Sequence, residues 1–400
     1  MAGTDSSFSR AQILIAGGGF AAVEAALALR ALAEDRVTLG LISPDPVFHY
    51  RPAATSEPFD LAPSRRYDLR AILTDLDARY HQSRLEAVAS RKGFVRTASG
   101  ARLEYDALIV ATGARAVVGV PGAMTFRDQR DIPSIRRLLA DVEAGAVRRV
   151  VFALPAGTVW PLPLYELALL TARHAQECGL ALACSLVTPE LEPLAVFGAQ
   201  ASGLVRGLLE ERDVRLLGGA LPTNVRRDGS LGLADGKTIE ADRVVALPEL
   251  RGRRFTGVPA SRQGFVPVDA FGQVEGLPDV YAAGDVTTFP IKQGGVAAQQ
   301  ADAVAQTIAT SLGVPVRQFR PPHVLQARLV GGERPVFLRT EFDSTGQPTG
   351  ASLVRDEVEH LANAAKVLGR YLTPYLETCE PLPGDREAAV SGIPSLRASG

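Results

Sequence analysis

Apolar runs of strand length alternate with helix-type patterns along most of the chain. A strand-like stretch at 11–16 runs through a glycine-rich turn into an alanine- and leucine-rich helix, and a second apolar strand follows at 37–43. The same order returns as a strand at 149–154, a helix at 163–178 and a strand at 181–188. Strands that alternate with helices in this way are typical of βαβ units. The pattern therefore predicts an α/β fold.

The first glycine-rich turn has the spacing of a dinucleotide-binding loop. Gly17, Gly19 and Ala22 form the pattern G-x-G-x-x-A between the strand and the helix. Gly17 allows the tight turn, Gly19 lets the backbone approach a pyrophosphate, and Ala22 allows close packing of the helix on the strand. The free N–H groups of the helix N-terminus, at Phe20 and Ala21, then face the phosphates. These positions predict a Rossmann-like nucleotide domain.

The acidic residue that usually binds a ribose hydroxyl beyond such a loop is replaced at the end of the second strand. The chain reads Ser43-Pro44-Asp45 there. Ser43 is predicted to hydrogen-bond a hydroxyl of the cofactor. Asp45 has two interpretations of equal weight: it replaces the missing carboxylate, or it only starts a turn before Pro46.

Two later segments indicate that the nucleotide bound at this site is a flavin. The sequences YDALIVATGAR at 105–115 and LPDVYAAGD at 277–285 are close matches to flavoprotein signatures. The second segment ends on a carboxylate that can accept hydrogen bonds from the hydroxyls of a ribityl chain. A helix near 294–308 then points its N-terminal amides at the flavin edge that becomes negative on reduction. FAD is therefore the predicted cofactor, with contacts at Ala111, Thr112, Gly113, Gly284, Asp285, Gly295 and Val296.

Composition limits the class of protein and its partners. The 400 residues suffice for two or three domains, and 43 Lys and Arg against 44 Asp and Glu leave a net charge of −1 with no basic run, which argues against a nucleic acid partner. Three cysteines without metal-ligand spacing predict neither a disulfide framework nor a metal site. Together with an N-terminus that lacks a secretion signal, they favour a cytoplasmic protein. The apolar run Val151–Leu170 holds three prolines and is expected to form strand, loop and helix rather than a membrane span.

By motif order and spacing, residues 10–376 resemble the family of sulfide:quinone oxidoreductases and type II NADH dehydrogenases, within the glutathione-reductase-like flavoproteins. The resemblance implies two Rossmann-like βαβ domains and a C-terminal α+β segment. It places an FAD-binding domain at 10–115 and 265–315, an inserted NAD(P)-binding-like domain at 116–264, and the C-terminal segment at 316–400.

The resemblance adds further cofactor contacts. The loop at 48–52, which holds Arg51 and Pro52, resembles a loop that runs close to the flavin, and Lys292 stands where relatives carry a lysine before the flavin-facing helix. The hairpin at 81–103 resembles the small sheet that precedes the ATG strand, and it supplies Leu85 as a predicted contact. Each has a plain alternative, since Arg51 and Lys292 are also explained as surface cations.

The inserted domain has lost its glycine loop. The segment at 154–163 reads LPAGTVWPLP, whose tryptophan and prolines do not offer the bare backbone that a pyrophosphate approaches. Nicotinamide binding is therefore doubtful, although Glu190 at the end of the next strand keeps it open. Sulfide:quinone oxidoreductases resemble this loop and the following Tyr165-Glu166, yet they carry a catalytic cysteine where this chain has Trp160.

The remaining cysteines, Cys178, Cys184 and Cys379, do not stand at positions that replace the missing sulfur-attacking groups. The stretch at 360–376 predicts an amphipathic helix with Lys366 and Arg370 on its polar side. Packing back on the flavin domain is favoured over membrane or quinone contact by roughly two to one, and the tail beyond 377 is expected to be loose.

Three functions stay open at this point. The first is an enzyme that passes electrons from an unidentified small-molecule donor through FAD to a quinone or another acceptor. The second is an NAD(P)H dehydrogenase with a non-standard nucleotide loop, and the third is a non-catalytic flavin-binding sensor or scaffold. No catalytic acid or base is assigned, and a homodimer is one open assembly.

Overall fold

The computed structural model describes residues 10–157, 160–316, 323–343, 345–349, 353–355, 367 and 369–383. Its helices are α1 Phe20–Ala33, α2 Leu69–Asp75, α3 Ile132–Glu143, α4 Leu162–Glu177, α5 Ala199–Glu211, α6 Gly294–Ser311 and α7 Leu372–Thr378. Its strands are β1 Ala11–Ala16, β2 Val37–Ile42, β3 Val47–Tyr50, β4 Arg65–Asp68, β5 Ala78–His81, β6 Leu85–Ala89, β7 Phe94–Thr97, β8 Arg102–Glu104, β9 Ala107–Val110, β10 Arg115–Val117, β11 Met124–Thr125, β12 Arg149–Ala153, β13 Ala183–Val187, β14 Val214–Leu217, β15 Pro222–Val225, β16 Leu231–Leu233, β17 Thr238–Ile239, β18 Arg243–Ala246, β19 Glu249–Arg251, β20 Val280–Ala282, β21 His323–Leu329, β22 Val336–Phe342 and β23 Leu353–Arg355.

The first βαβ unit lies in a parallel sheet with the strand order β20-β9-β1-β2-β5. Its edge strand β20 begins at Val280, whereas β9 ends at Val110, so the sheet is assembled from two widely separated stretches of sequence. Helices α1 and α6 pack on each other and on one face of the sheet, whose core is rich in alanine. The first predicted Rossmann-like unit is confirmed.

The second βαβ unit lies in a parallel sheet with the order β11-β18-β12-β13-β14. Helix α4 connects β12 to β13, and the three elements begin and end within two residues of the predicted bounds. The apolar run at 151–170 is therefore strand, loop and helix, as expected. Within the described stretches, the helices are too short or too polar to cross a bilayer.

The predicted hairpin at 81–103 is a three-stranded antiparallel meander of β6, β7 and β8. Its turns fall at Gly93 and Gly100, which both have positive φ. Apolar side chains of the meander, among them Leu85, pack against the face of the first sheet that α1 and α6 leave uncovered. This sheet is thus covered on both faces, as parallel sheets require.

The C-terminal part forms the antiparallel sheet β21-β22-β23 and the short helix α7. Gln299 of α6 attaches the sheet because its side chain donates to Val324 O and accepts from Val324 N, both at 2.8 Å. Leu372 and Leu376 of α7 lie in the core of the first sheet. The predicted packing on the flavin domain is therefore confirmed for α7. The helix begins later than predicted, since 369–371 are not helical, while 360–366, with Lys366, lie outside the described residues. The domain boundaries stay a prediction.

Candidate cofactor site

The glycine loop after β1 is held between the ends of two neighbouring strands. Gly17 N donates to Ile42 O at 2.8 Å, and Gly17 has a φ of +142°. A Cβ atom at this position would lie 2.1 Å from Ala111 O, so only glycine fits. A Cβ atom at Gly19 would meet no atom within 4 Å, which leaves the backbone of the loop open to a ligand.

Ser43 lies directly beneath this loop. A Cβ atom on Gly18 would lie 2.6 Å from Ser43 Oγ, and this hydroxyl donates to Asp45 O at 2.9 Å. Asp45 is used locally: its Oδ1 accepts from Val47 N at 3.0 Å, and its Oδ2 lies 3.1 Å from His49 Nε2. These contacts favour the turn interpretation of Asp45, and they explain His49 as a residue that holds the turn.

The segment after β9 places the hydroxyl of Thr112 near the glycine loop. Thr112 Oγ1 is buried and has no hydrogen-bond partner among the described residues. Gly113 follows with a φ of +66°, and a Cβ atom there would meet nothing within 4 Å. Buried hydroxyls are usually hydrogen-bonded, so this one fits a ligand atom. Leu85 instead buries its side chain in the core under the first sheet, which leaves only its backbone for the predicted cofactor contact.

The segment after β20 brings a carboxylate and a buried ammonium group to the start of α6. Gly284 lies against the start of α1, where a Cβ atom on it would lie only 3.1 Å from Ala21 Cβ. Burial raises the pKa of Asp285, against the opposing effect of the Lys292 and Arg51 charges. Burial lowers the pKa of Lys292, which is 4 % exposed, to about 8, and Asp285 opposes this shift. Lys292 Nζ donates to Thr287 O.

The N-terminus of α6 carries a side-chain cap that the sequence did not reveal. Gln293 Oε1 accepts from Gly295 N at 2.8 Å and from Val296 N at 3.0 Å. The two amides that were predicted to meet the flavin are therefore engaged by the chain itself. Phe20, at the start of α1, packs against Gly294, within 3.4 Å of the position of a Cβ atom there.

The loop after β3 places Arg51 beside the same site. Pro52 follows in a short 3₁₀ turn, Arg51–Ala53, and the ring of the preceding Tyr50 lies 5.6 Å from the ring of Phe20. The charge of Arg51 acts on Asp285. The structure thus brings together the glycine loop, Ser43, Thr112, Arg51, Asp285 and Lys292, and their individual contacts with a cofactor stay a prediction.

A buried bridge links this loop to the second sheet and to the C-terminal sheet. Glu166 of α4 is 1 % exposed, accepts from Thr55 Oγ1 at 2.6 Å and accepts from Val330 N at 3.2 Å. Sequence spacing cannot show a contact between residues 111 positions apart, so this connection was missed.

Just after β13, two hydroxyls of the chain bind the acidic residue Glu190. Tyr165 is fully buried, and its hydroxyl donates to Glu190 Oε2 at 2.7 Å. Thr188 Oγ1 donates to the same oxygen at 3.2 Å. Burial raises the pKa of Glu190, and hydrogen bonds from Tyr165 and Thr188 oppose that shift. The preceding loop packs inward, because the rings of Trp160 and Phe197 meet edge-on at 6.1 Å.

The site combines a glycine loop on a parallel sheet, an acidic residue that a distant strand brings to that loop, and a helix that begins beside both. These features define the class of two-domain dinucleotide-fold flavoproteins. The sequence profile described as pyridine nucleotide-disulphide oxidoreductase matches residues 11–153 and 165–301, which is more than half of the chain. The chain belongs to this family of oxidoreductases, and FAD is its cofactor. The match is interrupted at 154–164, where the second glycine loop is missing.

Curated relatives and solved structures agree with this assignment. The chain is 26% identical to monodehydroascorbate reductase 4 of Arabidopsis thaliana over 70% of its own length and 61% of that protein, and 26% identical to sulfide-quinone reductase of Aquifex aeolicus over 70% and 62%. It thus spans about three fifths of the length of these relatives. The structure of the sulfide:quinone oxidoreductase from Aquifex aeolicus matches with a TM-score of 0.77 and 21% identity, covering 87% of each chain. A ferredoxin reductase from Rhodopseudomonas palustris matches with a TM-score of 0.65 and 19% identity, covering 83% of each.

Proposed function

We propose that this chain passes electrons from a donor other than NAD(P)H through FAD to a quinone or another acceptor. FAD supplies the two-electron redox chemistry. The observation that carries the proposal is the contact between Tyr165 and Glu190. An acidic residue at this strand end is the usual partner of the nicotinamide dinucleotide's ribose, and here it is already bound by two hydroxyls of the chain.

The loop in front of α4 supports the same conclusion. It holds Pro155 and Pro161, which lack the amide donors that a diphosphate requires. A Cβ atom on Gly157 would lie 2.7 Å from Glu249 Oε1, so its backbone packs against a carboxylate, which would repel a phosphate. Nicotinamide binding would need both the loop and the Tyr165 contact to open.

The cysteines argue against sulfide as the donor. Cys184 is buried in the second sheet, where burial raises the pKa of its thiol to about 12, so it stays protonated near neutral pH. Cys178 is exposed at the end of α4, and Cys379 packs beside the core of the first sheet. A thiolate pair beside the flavin is therefore not part of the proposal, in contrast to the sulfur chemistry implied by the name of the Aquifex relative.

An apolar acceptor fits the surroundings of the α6 N-terminus. Ala54, Phe289 and Val296 join side chains of the C-terminal sheet, Leu325 among them, in one apolar cluster. These side chains are buried against one another, so a quinone, which is apolar over most of its surface, would bind beside this cluster and not within it, with its carbonyl oxygens near polar groups.

A pair of variants tests the proposal against the NAD(P)H alternative. The flavin of the FAD-loaded protein should stay oxidised under anaerobic NADH, and so should that of Tyr165→Phe, because the closed loop remains. The matched control is Tyr105→Phe, whose hydroxyl lies outside the second sheet. Rapid bleaching of the wild-type flavin by NADH or NADPH would overturn the exclusion of nicotinamide.

A further inference from the structure

Four arginines from separate segments converge beside the cofactor site. Arg51 follows β3, Arg84 precedes β6, Arg115 begins β10 and Arg253 follows β19. Unlike most arginines of the structure, none of these four has an ion pair or a side-chain hydrogen bond to another described residue.

Strand register explains how Arg253 reaches the others. Strand β19 pairs antiparallel with β10, with Arg251 opposite Arg115, so two residues further on Arg253 lies level with Gly113 of the flavin site. On its other side the chain runs parallel to β6, because Ala87 bridges Thr256 and Val88 N donates to Thr256 O at 2.8 Å. Counting back three residues on both strands puts Arg253 beside Arg84.

The cluster is a site of like charge. Burial lowers the pKa of Arg253, and the charges of Arg84, Arg115 and Arg51 lower it further. Guanidinium groups that repel each other in the free protein gain most from a bound anion, and they bind phosphate oxygens in pairs of hydrogen bonds. The diphosphate of FAD is a dianion, and the open glycine loop and Gly113 are where it would lie.

We propose that Arg84, Arg115 and Arg253 clamp the diphosphate of FAD together with Arg51, so that one residue beyond the second sheet, Arg253, helps to hold the cofactor of the first. This inference rests on FAD as the cofactor and is independent of the donor and acceptor proposed above.

Titration of flavin-free protein with FAD tests the clamp. Arg84→Gln, Arg115→Gln and Arg253→Gln should each weaken FAD binding by about tenfold or more, since each removes a charge-assisted contact. Arg227→Gln, a change at an exposed arginine between β15 and β16, is the control and should bind FAD like the wild type. ADP should compete with FAD, and its affinity should fall in the same three variants.

Stability separates the clamp from a structural role. Arg253→Gln should raise the Tm of the flavin-free protein, because it relieves repulsion, and lower the Tm of the FAD-loaded protein. A structural role would lower both. If Arg253→Gln fails to fold, Arg84→Gln and Arg115→Gln carry the same test. Wild-type affinity for FAD in the variants, or weakened FAD binding with unchanged ADP binding, would overturn the proposal.

Discussion

At the scale of single residues, the cofactor site depends on glycine positions where a side chain would interfere and on charged groups that are buried away from water. Gly17 is constrained by backbone on the protein side, whereas Gly19 has free space around it. Lys292 and Asp285 are opposite charges whose pKa values are both shifted by burial toward the neutral form. These two kinds of position give separable experimental signatures.

Three glycine variants distinguish folding from cofactor binding. Gly17→Ala should lower both stability and FAD content, since its Cβ atom would lie 2.1 Å from Ala111 O. Gly19→Ala should keep the stability of the flavin-free protein and lose FAD affinity, because the methyl group enters the ligand's space. Gly203→Ala, on an exposed turn of α5, should add about 0.5–1 kcal/mol of stability and leave FAD content unchanged. Urea unfolding measures the stability of the three variants, and the amount of FAD bound per chain measures their cofactor binding. Equal FAD content in Gly19→Ala and Gly203→Ala would contradict the assignment of Gly19 to the cofactor site.

Lys292 predicts a pH dependence of stability in the flavin-free protein. Its pKa falls from 10.5 to about 8 on folding, so between these values the unfolded chain holds the extra proton. Stability therefore rises with pH through this window by about 3 kcal/mol, and the contribution is lost as the pH falls through 8. Lys292→Met should remove that slope. Unfolding midpoints measured at several pH values for both proteins check it, and identical slopes would show that Lys292 is not the cause.

At the scale of elements, helix termini connect the site to the rest of the fold. Gln293 caps the start of α6, and Glu24 of α1 caps the start of α7 by accepting from Tyr371 N at 3.0 Å and Leu372 N at 2.7 Å. Glu24 is 0% exposed, so the C-terminal segment depends on a buried carboxylate from the first βαβ unit.

Removal of the α6 cap should act differently with and without flavin. Gln293→Ala leaves two amides unpaired and should cost the flavin-free protein about 1 kcal/mol. The cost should be smaller in the FAD-loaded protein if the flavin takes up these amides. Gln293→Glu keeps the acceptor for these amides but loses the donor to Gln326 O, so it should restore only part of the stability of the flavin-free protein. Thermal unfolding of the FAD-loaded and flavin-free proteins measures the two costs. An equal loss of stability in both would argue against contacts between these amides and the flavin.

Loss of the α7 anchor should release the C-terminal segment selectively. Glu24→Ala removes the acceptor of the Tyr371 and Leu372 amides and supplies no other. This change should destabilise the protein by about 2 kcal/mol. Hydrogen exchange should accelerate across 371–378. Asp35→Ala, at the exposed end beyond the same helix, is the control and should change neither. Unchanged exchange in Glu24→Ala would mean that the apolar contacts of Leu372 and Leu376 suffice.

At the scale of the whole molecule, local sequence patterns predicted both sheets, because strand periodicity and glycine spacing act over a few residues. They also predicted FAD through Gly17, Thr112-Gly113 and Asp285, whose motifs are local. They could not predict the contact of Tyr165 with Glu190 or the convergence on Arg253. Those depend on how distant segments pack, and this leaves no local pattern.

The central claim is that the flavin exchanges electrons while the second nucleotide position stays closed. Its most direct test is an anaerobic spectroscopic titration in two parts: the oxidised FAD-loaded protein is mixed with NADH or NADPH, and the dithionite-reduced protein is mixed with an oxidised quinone. The account predicts that neither nicotinamide bleaches the oxidised flavin and that the quinone takes the electrons of the reduced flavin and restores its colour. Bleaching by NADH or NADPH, or a reduced flavin that the quinone leaves unchanged, would contradict it.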